Sequence, residues 1–274
     1  MSGPDQLPPP SDQEWTFPKP KKTRKRPPPP KLPQRTGPLK SPQEIETEYL
    51  QIKQDWSTSP CCTSLRKLIA SNGRNLSPVN KAICLGLGTF DPHDDSWETK
   101  RRTYRQYVAF VAMVEELEKF TTKKIECIFQ EPLFTEQEKE FLTTKGHRVV
   151  DHPVACQSIT DDSLLYGVHL YRELYQEALD TNLPAIFVGT DWDTWDELML
   201  QEPALMRGVK SMHERYEKFQ FPDDGLTFSS TAIYWRPREA KIGEGAGEED
   251  DEDKHEDAKP ELELAGKLEA VVIS

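Results

Sequence analysis

Apolar residues along this chain alternate between two rhythms. Short, nearly continuous apolar runs fall at Lys81–Leu87, Lys124–Phe129, His147–Val150, Ser163–Val168, Pro184–Gly189 and Ser230–Trp235; each predicts a strand, with Ser163–Val168 read as a short strand or an extended segment. Between and before them, apolar residues recur every three or four positions. Ile45, Tyr49, Ile52 and Trp56 predict a helix over 43–56, and Leu65, Leu68 and Ile69 a second over 62–72, with Gly73 placed to end it. Tyr104, Tyr107, Val108, Val111, Val114 and Leu117 put one apolar face on a helix over 100–119. Thr135 followed by Glu138 has capping-box spacing and opens a helix to Lys145, and a further helix spans 171–179. Strand and helix alternate, so the pattern predicts an α/β fold with a mostly parallel sheet and helices on both faces.

Composition limits this pattern to the middle of the chain. Residues 1–40 hold twelve of the 23 prolines, and residues 239–274 are dominated by Glu, Asp, Gly and Lys. Neither end carries enough apolar surface to offset the entropy of ordering it. The expected organisation is a disordered basic Pro-rich arm over 1–40, one α/β domain over 41–238, and a disordered acidic tail over 239–274.

Charge sharpens the division. The net −12 of the chain combines +6 on residues 1–40 with −9 on residues 239–274, leaving −9 for the middle. A negative domain is a poor match for a phosphate backbone, so nucleic-acid binding by the core is not expected. Lys21, Lys22, Arg24, Lys25 and Arg26 lie in an extended proline-rich context and are candidates for a nuclear-import signal read by an import receptor. The alternative is a solubilising tail. No apolar signal core or membrane-length run is present, and the five cysteines include no CxxC pair. These features predict a cytoplasmic or nuclear protein with reduced structural thiols, no membrane partner and no metal site.

The candidate chemistry clusters at strand ends. Lys81-Ala-Ile-Cys-Leu-Gly-Leu-Gly-Thr-Phe90 closes its apolar run with Gly86, Gly88 and Thr89. In a doubly wound sheet this is where a ligand crevice forms. The third glycine of the dinucleotide fingerprint is missing, so a nucleotide- or S-adenosylmethionine-like ligand competes with a plain strand-to-loop turn. Glu131 follows the second strand, where an acid can hold ribose hydroxyls or stand as a surface carboxylate. His169 can act as acid or base or make a structural hydrogen bond. Asp191, with Asp193 and Asp196, can bind a cation or open a solvated helix. No catalytic set assembles from spacing, and no cofactor is named by it.

Taken in order, Ile83-Cys-Leu-Gly-Leu-Gly-Thr-Phe90, Tyr104-Arg105-Gln106, Glu131-Pro132-Leu133-Phe134-Thr135, Ile186-Phe-Val-Gly189 and Thr231-Ala-Ile-Tyr-Trp235 resemble the SRR1-like ("sensitivity to red light reduced") domain over about residues 80–235. The tails suggest a fungal-type member. The resemblance implies a Rossmann-like α/β fold and regulatory roles, with links to circadian or light signalling, the cytoskeleton and haem metabolism, and no settled catalytic activity. The chain departs from the family pattern in three places. Glu131-Pro132 stands where Asp-Pro is usual, Tyr166-Gly-Val-His169 where Met-Pro-His-Cys is frequent, and Thr190-Asp191 where Asn-Ser is common. Any family chemistry that needs that cysteine is in doubt here.

The leading expectation is a regulatory protein, more binder than enzyme, that takes a protein partner or a nucleotide-like or haem-related small molecule at the strand ends. The alternatives are a nucleotide- or S-adenosylmethionine-dependent transferase, and a nuclear adaptor acting through its charged tails.

Overall fold

The apolar runs are continuous because the strands are buried on both faces. In β1 (Lys81–Leu85), Ala82 and Cys84 join one hydrophobic cluster, while Ile83 and Leu85 join the other. The same division holds in β2 (Glu126–Gln130), with Cys127 and Phe129 opposite Ile128. It recurs in β4 (Ser163–Gly167) and in β5 (Ile186–Thr190), where Phe187 faces away from Ile186 and Val188. This computed structural model describes residues 37–75, 78–198, 206–223, 225 and 227–237. The basic arm through residue 36, with its import-signal candidates, and the acidic tail lie outside the described residues.

Among the described residues, seven strands form one sheet in the order β3-β2-β1-β4-β5-β7-β6, where β3 is Arg148–Val149, β6 Glu217–Gln220 and β7 Thr231–Trp235. The pairs among β1 to β5 are parallel, and β7 runs antiparallel to both of its neighbours. The α/β, mostly parallel fold read from the sequence is thus present.

On one face lie α1 (Pro42–Ser57), α2 (Pro60–Asn72), α3 (Trp97–Leu117) and α4 (Glu136–Thr144). The other face carries α5 (Val154–Gln157), α6 (Arg172–Leu179) and α8 (Arg207–Arg215); α7 (Trp192–Leu198) follows β5 directly. Prolines at the first turns of α1 and α2 start both helices slightly earlier than their apolar period suggests. Among the described residues, no helix is long and apolar enough to cross a membrane.

Gly73 ends α2 as its position suggests, in a right-handed conformation that leads into a short 3-10 turn. Its lack of a side chain makes room for Phe120, whose ring carbon lies 2.4 Å from where a Cβ would stand. The β6 strand carried no apolar alternation because it is an edge strand, with Glu217, Lys218 and Gln220 exposed.

Candidate functional site

The loop after β1 is built by two glycines and two carboxylates. Gly86 and Gly88 hold φ of +62° and +85°, conformations that glycine reaches without strain. The Gly86 amide continues the ladder by donating to the Gln130 carbonyl at 3.1 Å. The Gly88 amide donates to Glu131 Oε2 at 2.9 Å, and the Leu133 amide to Glu131 Oε1 at 3.0 Å. Burial pushes the Glu131 carboxyl above its ordinary range and nearby Glu138 adds to this, against the pull of the two backbone donors.

Glu138 is fully buried and serves two segments. Oε2 accepts the Thr135 amide at 2.6 Å, completing the capping box of α4. Oε1 accepts the Thr89 hydroxyl at 2.6 Å, the Phe90 amide at 2.6 Å and the Asp91 amide at 3.2 Å. Phe90 is thereby drawn into the ring cluster of Tyr104, Tyr107, Phe134 and Phe141. The amides of Gly88, Phe90 and Asp91, which a phosphate-binding turn would aim at its ligand, are satisfied by side chains of this chain. The same carboxylates disfavour an anion beside them.

The remaining candidates occupy the same carboxyl-terminal edge but separate positions along it. His169 follows β4, is exposed and holds φ +58°. Its Nε2 lies 2.7 Å from the Ser229 carbonyl, which can only accept, so Nε2 carries the proton in that contact. Asp191 follows β5. Its Oδ1 accepts the Tyr234 hydroxyl at 2.7 Å, and Lys218 Nζ lies 3.2 Å from Oδ2. The same ammonium lies 2.6 Å from Asp193 Oδ2 and holds that carboxyl below its usual range. A lysine already supplies the positive charge here, and Asp191 precedes α7 but is buried, so it does not open a solvated helix. The structure thus brings Gly88 and Glu131 into contact and Thr89 onto Glu138, while His169 and Asp191 bond to the segments around β7.

Sequence reasoning missed Leu170, Tyr175 and the second role of Glu138. Leu170 lies against both Gly86 and Gly167, within 2.3 Å and 2.5 Å of where their Cβ atoms would stand, so it covers the junction of β1 and β4. The Tyr175 hydroxyl donates to the Gly167 carbonyl and accepts the Thr190 amide at 3.0 Å, tying the ends of β4 and β5 together. Only the capping-box spacing pointed to any of these three. Two cavities of about 530 and 540 Å³ lie elsewhere, one beside α5 and α6 and one beside α1 and α3. Neither is lined by Gly86, Gly88, Glu131, His169 or Asp191.

Comparison with known proteins adds a family. The SRR1 domain matches residues 61–235. No curated protein matches the chain. Among solved structures, the crystal structure of Thermoplasma acidophilum 1320 is similar over 65% of this chain and 85% of that one, at a TM-score of 0.33 and 11% identity. That likeness is too slight to carry an argument.

Proposed function

The chain belongs to the SRR1 domain family, and from that premise we propose that it is a regulatory protein that receives a small ligand or a protein partner at the carboxyl ends of its parallel strands. The observation that carries this reading is the occupation of the β1 loop amides by Glu131 and Glu138. A ligand arriving there meets glycine backbone and the half-buried Glu131 carboxylate, with Glu138 enclosed beneath it. That surface suits hydroxyl, amine or cationic groups and disfavours phosphate. The family's links to light signalling, the cytoskeleton and haem metabolism are consistent with a binding role at this edge.

One observation favours the enzymatic alternative. Glu131, at the end of β2, stands where an acid holds a ribose diol in Rossmann-like sites, and the loop beside it has no free phosphate cradle. An S-adenosylmethionine-like ligand carries a diol and a sulfonium but no phosphate, so it fits these groups better than a dinucleotide does.

A thermal-shift series with adenosine, S-adenosylmethionine, ATP, NAD and haem tests both readings, since a ligand of the native state at one hundred times its Kd adds about 2.7 kcal/mol. Stabilisation by the phosphate-free adenosine compounds, lost in Glu131→Gln, is the expected result for a small ligand, and S-adenosylmethionine acting well beyond adenosine points to the transferase. Equal or greater stabilisation by ATP or NAD overturns the charge argument.

A further inference from the structure

We propose that His152, Cys156 and Glu177 form a zinc-binding site beside α5 and α6. His152 stands two residues before α5, Cys156 lies within it, and Glu177 comes from α6. One ligand atom from each lies within 4.8 Å of the other two, and His152 Nε2 is 3.5 Å from Glu177 Oε1. Zinc bonds of 2.0–2.3 Å in tetrahedral array place ligand atoms about 3.5 Å apart. The His152–Glu177 pair already has that spacing, and both side chains are exposed enough to close on the sulfur. Imidazole nitrogen, thiolate sulfur and carboxylate oxygen form a donor set that suits zinc and is too soft for magnesium or calcium.

Two further features support the site. Buried Gln130 directs its amide nitrogen at Cys156 Sγ, 3.8 Å away, while its Oε1 accepts the Ala155 amide at 3.2 Å. One side chain thus fixes the start of α5 and orients the sulfur, the role of an outer-shell partner in a metal site. Cys156 and Glu177 also line the 530 Å³ cavity, with Gln157, Gln176 and Asn182 among its polar walls, so coordination positions not filled by the protein open onto polar space. A second triad among the described residues, Asp191, Asp193 and His213, differs because the Lys218 ammonium sits on its two carboxylates. Among the described residues no such ammonium contacts His152, Cys156 or Glu177. Binding is redox-neutral: the sulfur–metal bond replaces the thiol S–H bond, and the proton passes to solvent.

The site is independent of the strand-end ligand reading. Titrating the reduced full-length chain with Co²⁺, and with Zn²⁺ against a chromogenic chelator, tests it. The expected result is one bound equivalent with a sulfur-to-cobalt charge-transfer band. Cys156→Ser removes the band, His152→Gln and Glu177→Gln weaken zinc binding about tenfold or more, and a Cys61→Ser/Cys62→Ser double variant changes nothing. Should Cys156→Ser fail to fold, His152→Gln, at an exposed position, probes the same site through zinc affinity. No bound equivalent, zinc affinity unchanged in His152→Gln, or a band that survives Cys156→Ser overturns the proposal.

Discussion

Glu138 shows how much can rest on one carboxylate. It is fully buried, and such a group is tolerated only when its oxygens are well supplied with donors. Here four donors converge, three from the β1 loop and one from the start of α4. Glu138→Gln keeps the shape but turns one acceptor into a donor facing other donors. It should cost about 2–4 kcal/mol in urea denaturation and speed hydrogen exchange at Phe90 and Asp91. An unchanged midpoint would show that the loop holds itself. His147 makes a second prediction at this scale. Its Nε2 is 2.9 Å from the Tyr107 hydroxyl, and burial, with Lys124 and Lys145 nearby, lowers its pKa to about 4. Unfolded, it titrates near 6.5, so on acidification the unfolded chain takes up the proton first. Stability is therefore complete above about pH 6.5 and falls as pH drops toward 4, by up to about 3 kcal/mol from this group. In His147→Gln, stability measured against pH should lose that part of its acid slope.

At the scale of elements, the strand ends are shaped as much by packing as by ligand access. Gly88 combines a φ of +85° with a would-be Cβ only 2.9 Å from Thr103 Oγ1 on α3. Gly88→Ala should therefore lose about 2–3 kcal/mol in thermal denaturation. Adding Thr103→Ala should recover the steric part and leave the conformational cost of about 1–2 kcal/mol. Full recovery in the double variant would mean that φ is not the constraint. The same interplay of local pattern and packing governs what can be read from the residues alone. Strands such as Ala82–Leu85 were legible because burial on both faces makes them uniformly apolar, and Thr135 with Glu138 because capping is local. The meeting of Gly88 and Glu131 followed from parallel strand ends being neighbours. Leu170 was not legible, since an ordinary leucine becomes a plug only when β1 and β4 lie side by side. His152, Cys156 and Glu177 stayed hidden because a helix packing brings the third residue to the first two, and no regular spacing marks it.

At the scale of the whole molecule, two segments outside the family match can be tested for what they add. Replacing Lys21, Lys22, Arg24, Lys25 and Arg26 with alanine should reduce nuclear accumulation of a fluorescent fusion, and an unchanged distribution would remove the import role. The second segment is α1, which precedes residue 61, where the match begins. It buries Ile45, Tyr49 and Trp56. The Tyr49 ring meets Tyr107 at 5.1 Å and Phe141 at 5.8 Å between centroids, reaching α3 and α4 together. Polar contacts follow the same path: the Tyr104 hydroxyl donates to Glu48 at 2.9 Å, Lys53 lies 3.3 Å from Glu115, and Lys145 pairs with Glu46. Three buried side chains at about 1.5–3 kcal/mol each amount to a large share of the roughly 5–15 kcal/mol that holds a typical domain. A fragment of residues 61–235 should therefore melt well below one of residues 37–237, or fail to unfold cooperatively, although it contains every residue of the family match and all seven strands. Equal melting temperatures for the two fragments would make α1 an appendage. A large gap would make it part of the folding unit, with the ring cluster that anchors Phe90 depending on a helix that lies outside the matched domain.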